Sequence, residues 1–80
     1  MRITEVSKQT GTTPDLIRYF EAKGFITADR IVVHTREVRD YSESTVSIIE
    51  LILKFVNQGF KHDVAYQKAM SELQQPRLVE

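Results

Sequence analysis

The sequence predicts a mainly helical domain of four short helices, with a two-stranded β ribbon inserted between the second and the third. Three observations carry that prediction. Two short helices are separated by only three residues, "TGT", and a tight glycine-containing turn between helices makes a helix-turn-helix. The stretch "ADRIVVHTREVRDY" is β-branched on one side of a polar tip and returns to apolar character beyond it. The remainder shows helical periodicity that ends at a glycine and then at a proline.

The first helix is short. Thr4 is the expected N-cap, Ile3 and Val6 are its apolar positions, and Gly11 stops it. The second has the clearest signals. Thr13 is an N-cap, Pro14 occupies the first helical position at no hydrogen-bond cost, and Asp15 sits where the helix dipole favours an anion. Leu16, Ile17 and Phe20 form its apolar stripe, and Gly24 ends it. The helix-turn-helix thus covers about residues 4–23 and the ribbon about residues 28–41, although the ribbon lacks an Asn-Gly turn.

Ser42 caps a third helix over about residues 43–58. Val46, Ile49, Leu53 and Val56 form one stripe, and Ile48, Ile52 and Phe55 a second. A helix apolar on two sides is expected to be covered on two sides, by the helix-turn-helix and by the last helix. An exposed seam for a partner or a second copy is the alternative. Gly59 is the expected C′ residue, with Phe60 making the apolar contact that accompanies such a stop. The fourth helix spans about residues 62–74, with Tyr66, Ala69, Met70 and Leu73 on its inner face and Pro76 ending the pattern. All 80 residues are expected to form a single domain.

Composition limits the chemistry. With no cysteine, there is neither a disulfide framework nor a thiolate metal site, which fits an intracellular protein. The longest apolar-rich stretch is interrupted by Ser47, Glu50 and Lys54 and cannot span a bilayer. His34 and His62 fall in different elements, without metal-ligand spacing. No nucleophile elbow, paired-carboxylate site or phosphate-binding glycine loop is recognisable, so no enzymatic activity and no cofactor are expected.

The net charge is zero, with 11 basic and 11 acidic residues. From Met1 to Tyr41 there are seven Lys and Arg against six Asp and Glu. A nucleic-acid footprint therefore has to come from geometry, with the cations gathered on one face. Thr12, Thr13, Asp15, Arg18, Tyr19 and Ala22 are the expected exposed positions of the second helix. Arg18 suits a phosphate or a guanine, and the Tyr19 hydroxyl a phosphate. Arg30, Arg36 and Arg39 form a cluster in the ribbon, suited to the DNA backbone or minor groove. The plainer alternative is a helical hairpin with solvated arginines.

The order of these features resembles the DNA-binding domain of the MerR family of bacterial transcription regulators. Members have Glu-Val-Ala, Gly-Val-Ser, Leu-Arg-Tyr-Tyr-Glu and Gly-Leu in succession, then a wing ending Tyr-Arg-x-Tyr-Ser, then Leu-Gly-Phe. Glu5-Val6, Gly11, Ile17-Arg18-Tyr19-Phe20-Glu21, Gly24-Phe25, Arg39, Tyr41-Ser42 and Gly59-Phe60 stand at those places, over roughly residues 2–74. The resemblance implies a winged helix-turn-helix that reads promoter DNA, with the second helix in the major groove and the wing on the backbone or minor groove. It places Arg18 and Tyr19 at the DNA surface, and Arg39 and Tyr41 as phosphate contacts or as packing beneath them. The expected DNA-binding residues are Arg18, Tyr19, Arg36, Arg39 and Tyr41, with Thr13, Asp15 and Lys8 secondary.

Four features depart from the family pattern. Asp15 replaces a frequent Lys or Arg. Phe20 lacks the hydroxyl of the second tyrosine. Glu37-Val38 stands where Gly-Tyr is usual. The sequence also ends after the fourth helix, where full-length members continue into a dimerisation helix and an effector domain. An excised domain, or a short stand-alone protein of the excisionase or phage-regulator kind, is expected. The expected partner is double-stranded DNA, bound as a homodimer or an array, in the cytoplasm on the nucleoid. A protein-interaction module using the same fold, or an excisionase-like architectural role, is the competing expectation.

Overall fold

The computed structural model of the protein describes residues 1–74, so the expected stop at Pro76 lies outside the described residues. The elements are α1 (Ile3–Thr10), α2 (Pro14–Ala22), β1 (Asp29–Val33), β2 (Arg36–Asp40), α3 (Glu43–Asn57) and α4 (His62–Gln74). Four helices with a two-stranded antiparallel ribbon between α2 and α3 make a mainly helical, winged helix-turn-helix architecture, as expected. Two compact units are distinguishable, Met1–Ile49 and, among the described residues, 50–74.

The helix ends follow from local chemistry. Thr13 Oγ1 accepts from the Leu16 backbone N–H at 3.2 Å, capping α2. Ser42 Oγ does the same for the Thr45 N–H at 3.2 Å at the start of α3. The expected cap of α1 is corrected: the N-cap is Arg2, two residues earlier, so the helix begins at Ile3 and Thr4 lies inside it. There the Arg2 backbone N–H donates to Glu5 Oε1 at 3.4 Å.

α2 and α3 end in the same way. The Phe25 N–H donates to the Phe20 carbonyl at 2.9 Å and the Gly24 N–H to the Glu21 carbonyl at 3.0 Å. In α3 the Phe60 N–H reaches the Phe55 carbonyl at 3.2 Å and the Gly59 N–H the Val56 carbonyl at 2.9 Å. Both are Schellman motifs, with the glycine in a positive-φ conformation at 80° and 104°. The accompanying apolar contact is a phenylalanine pair each time. Phe20 and Phe25 have ring centroids 6.0 Å apart, and Phe55 and Phe60 6.2 Å apart.

Within the first unit the core is Val6, Ile17, Phe20, Ile26, Tyr41, Val46 and Ile49. Burying side chains of this kind contributes about 1.5–3 kcal/mol each. Leu16, Ile3 and Phe25 are half-buried at its edge. The buried Thr45 hydroxyl donates to the Thr27 carbonyl at 3.2 Å, which ties the segment before the ribbon to α3.

In the second unit Ile52, Ala65 and Ala69 are buried, and Lys54 Nζ lies 3.6 Å from Glu72 Oε1. Lys68 Nζ sits 4.6 Å from the centre of the Phe60 ring. The inner face assigned to α4 is corrected at one position. Leu73 is 50% exposed, while Ala65, one turn before Ala69, is buried.

The ribbon pairs Asp29 with Asp40, Arg30 with Arg39, Ile31 with Val38, Val32 with Glu37 and Val33 with Arg36. His34 and Thr35 form its two-residue loop, both at positive φ, 51° and 66°. This is the backbone that a two-residue hairpin demands, built without the Asn-Gly that adopts it most easily.

Candidate functional site

Side chains alternate across a strand, so the register sorts the ribbon into two faces. Arg30, Val32, Glu37 and Arg39 share one, and Ile31, Val33, Arg36 and Val38 the other. The expected cluster of Arg30, Arg36 and Arg39 is therefore split, and Arg36 lies on the face opposite to Arg39.

Arg30 and Arg39 stand directly opposite each other, an arrangement that is unfavourable for like charges. Each is offset by a carboxylate. Arg30 Nη1 contacts Glu37 Oε1 at 3.2 Å, diagonally on the same face. Arg39 Nε donates to Glu21 Oε2 at 3.0 Å, across to α2. The Arg39 guanidinium pKa is raised by the Glu21 hydrogen bond and charge.

Glu21 also receives the wing's buried tyrosine. Tyr41 is fully buried, and its hydroxyl donates to Glu21 Oε1 at 3.1 Å. Burial first, then the Glu21 charge and hydrogen bond, push the Tyr41 phenol above its usual value of 10.0. The Tyr41 ring and hydroxyl are both occupied internally, beneath the surface that Arg39 borders. The backbone here is tied as well: the Tyr41 N–H donates to the Met1 carbonyl at 2.7 Å. The Met1 amine sits 2.8 Å from Asp40 Oδ1.

These contacts bring α1, α2 and the ribbon around one groove of about 260 Å³, lined by Arg2, Arg18, Arg30 and Arg39, with Glu37 and Tyr41. A smaller hollow of about 170 Å³ continues along α2, bordered by Arg18, Glu21, Ala22 and Arg39. Arg18 and Arg39, far apart in sequence, line both.

The remaining expected residues sit outside the groove. Tyr19 is exposed on α2, its ring centroid 6.1 Å from that of Phe20. Lys8 is exposed in the last turn of α1. Thr13 is exposed, and its hydroxyl caps α2. Asp15 is 95% exposed at the start of α2 and contacts Arg18 Nη1 at 3.1 Å, an i, i+3 pair.

Two residues have roles that sequence reasoning missed. Arg2 lines the groove only because α1 starts beside the ribbon, and no local signal marks that. Glu21 lies within the Arg-Tyr-aromatic-Glu block, yet its double acceptor role needs the ribbon folded against α2. No group of three His, Cys, Asp or Glu that could hold a metal ion occurs among the described residues. No helix among them is long and apolar enough to cross a membrane.

The short α1–turn–α2 unit, the ribbon beside it and the arginines between them define a winged helix-turn-helix domain. The family model for the MerR HTH family of regulatory proteins matches residues 1–72 of the 80. The chain belongs to that family, one of DNA-binding transcription regulation. No curated protein matches the chain.

Proposed function

We propose that the chain is a sequence-specific DNA-binding transcription regulator, with α2 in the major groove and the ribbon on the backbone or minor groove of the same duplex. The observation that carries this reading is the groove in which Arg18 of α2 meets Arg30 and Arg39 of the ribbon. A phosphate strand running between a recognition helix and a wing meets guanidinium groups from both. Arg18 and Tyr19 take the recognition side, Arg39 and Arg30 the backbone side, and Tyr41 holds the wing in register beneath them. Arg36, Thr13, Asp15 and Lys8 border the contact.

The two compact units serve as one DNA-binding module, as one family model spans both. A single module of this size binds weakly, so a homodimer or an array on repeated sites supplies useful specificity. The place of action is the cytoplasm, on the nucleoid.

Selection of bound sequences from a random duplex pool tests this reading, with stoichiometry measured on the enriched site. An enriched spaced repeat is the expected result. Arg39→Ala should then weaken binding to all sequences about equally and lower the salt slope by about one phosphate's worth. Arg18→Ala should weaken the preferred site most. No enrichment, with neither substitution changing affinity, would overturn it.

A second reading is an interaction module or excisionase-like architectural protein using the same fold. Val32, 74% exposed on the arginine face of the ribbon, favours it, since an exposed aliphatic side chain suits a protein partner.

A further inference from the structure

Every arginine that α2 and the ribbon bring to the groove is already paired. Arg18 contacts Asp15 at 3.1 Å, Arg30 contacts Glu37 at 3.2 Å and Arg39 contacts Glu21 at 3.0 Å. The three carboxylates differ in their surroundings. Glu21 has a side chain only 20% exposed and also accepts from Tyr41, so it holds the fold. Asp15 and Glu37 have side chains 95% and 60% exposed; Asp15 contacts Arg18, and Glu37 contacts Arg30 while its charge also acts on Arg39. They lie on the surface that the proposed function turns toward DNA.

From this we infer that Asp15 and Glu37 suppress binding to duplexes that offer phosphates alone, with Asp15 the specificity-determining residue of the two. The inference rests on the DNA-binding reading above. For Arg18 or Arg30 to bind a phosphate, it must leave its carboxylate, and that carboxylate then lies within a few ångströms of the same phosphate. Like charges at such distances in a surface environment repel appreciably. A non-cognate duplex meets this repulsion with nothing to offset it. A preferred sequence can supply base-edge donors. Asp15 stands in the first turn of α2, the part of a recognition helix that approaches base edges, and a freed carboxylate there can accept from a cytosine amine. Asp15 and Glu37 thus raise the threshold for all DNA, and base-edge donors beside Asp15 at the preferred site lower it again.

The test measures the affinity of the full chain for mixed-sequence duplex DNA across a range of potassium chloride concentrations. It compares the parent with Asp15→Asn, Glu37→Gln and the double variant. Glu50→Gln, on the exposed side of α3, is the matched control for a change of one unit in net charge. Asp15→Asn and Glu37→Gln should each tighten mixed-sequence binding roughly fivefold. The double variant should do so more, while its preference for the selected site narrows. Glu50→Gln should change it far less. Unchanged or weaker mixed-sequence binding in both single variants overturns the inference, and so does equal tightening by Glu50→Gln. Arg39→Ala separates the two levels. If it weakens binding while the acid variants do nothing, only this inference fails. If the parent, the acid variants and Arg39→Ala all fail to bind, the DNA-binding reading fails with it.

Discussion

The hydroxyl of Tyr41, at the end of the ribbon, donates a 3.1 Å hydrogen bond to Glu21, on α2. The two residues are 20 positions apart in sequence, and the contact fixes where the wing stands relative to α2. The other oxygen of the same carboxylate holds Arg39. One acid thus positions a buried phenol and a surface guanidinium together.

Tyr41→Phe should remove this hydrogen bond while keeping the buried ring. Net hydrogen-bond contributions suggest a loss of about 1 kcal/mol in urea unfolding. The pH dependence should change as well. The phenol's pKa is raised in the folded protein, so the folded state holds its proton more tightly. The stability linked to it is complete below the unfolded pKa near 10.0 and declines as pH climbs from there toward the folded value. Tyr41→Phe should flatten that alkaline decline, read as Tm against pH.

Glu21→Ala should be more damaging than Tyr41→Phe. It strands the Tyr41 hydroxyl in the core and leaves Arg30 and Arg39 opposed with one fewer counter-ion. An unpaired buried polar group costs about 1–3 kcal/mol. Glu21→Gln, which can still accept from Tyr41, should recover most of the loss in chemical denaturation.

Replacing His34-Thr35 by Asn-Gly should stabilise the wing. Thr35 is β-branched at φ 66°, a conformation that such residues avoid. Relief of backbone strain of this kind is worth about 1–3 kcal/mol locally. Slower amide hydrogen exchange in β1 and β2 is the measurement that checks it.

The two Schellman glycines isolate backbone strain from packing. A Cβ at Gly24 or Gly59 would meet nothing within 4 Å, yet both have φ values that L residues rarely adopt. Gly24→Ala and Gly59→Ala should each cost roughly 1–2 kcal/mol in thermal unfolding, with no cavity or clash involved.

Helix ends were the most legible part of the sequence. Thr13, Ser42, Gly24 and Gly59 act on backbone groups within a few residues, so their roles need no tertiary information. Thr4 failed because the chain in front of α1 is already held by the ribbon, which lets Arg2 serve as the boundary. Leu73 failed because periodicity finds a stripe but not what covers it. The site was legible only in part. The arginines of the wing were visible as a group, yet a period of two sends Arg36 to the other face, and only the strand register reveals this. The counter-ion assigned to each arginine depends on side-chain positions that no linear pattern encodes.

The paired arginines have a kinetic consequence. A guanidinium and a carboxylate about 3 Å apart form a local dipole, and its field dies away faster than that of a bare cation. With 11 basic and 11 acidic residues, the chain has no net charge to extend it. Electrostatic steering, which speeds association with a polyanion many-fold, should therefore be weaker than for a surface of bare arginines at distances beyond about 10 Å. Encounters with DNA are then left more to ordinary diffusion. If Asp15 and Glu37 act as proposed, the duration of each complex is set after contact, by whether the surface offers more than phosphate.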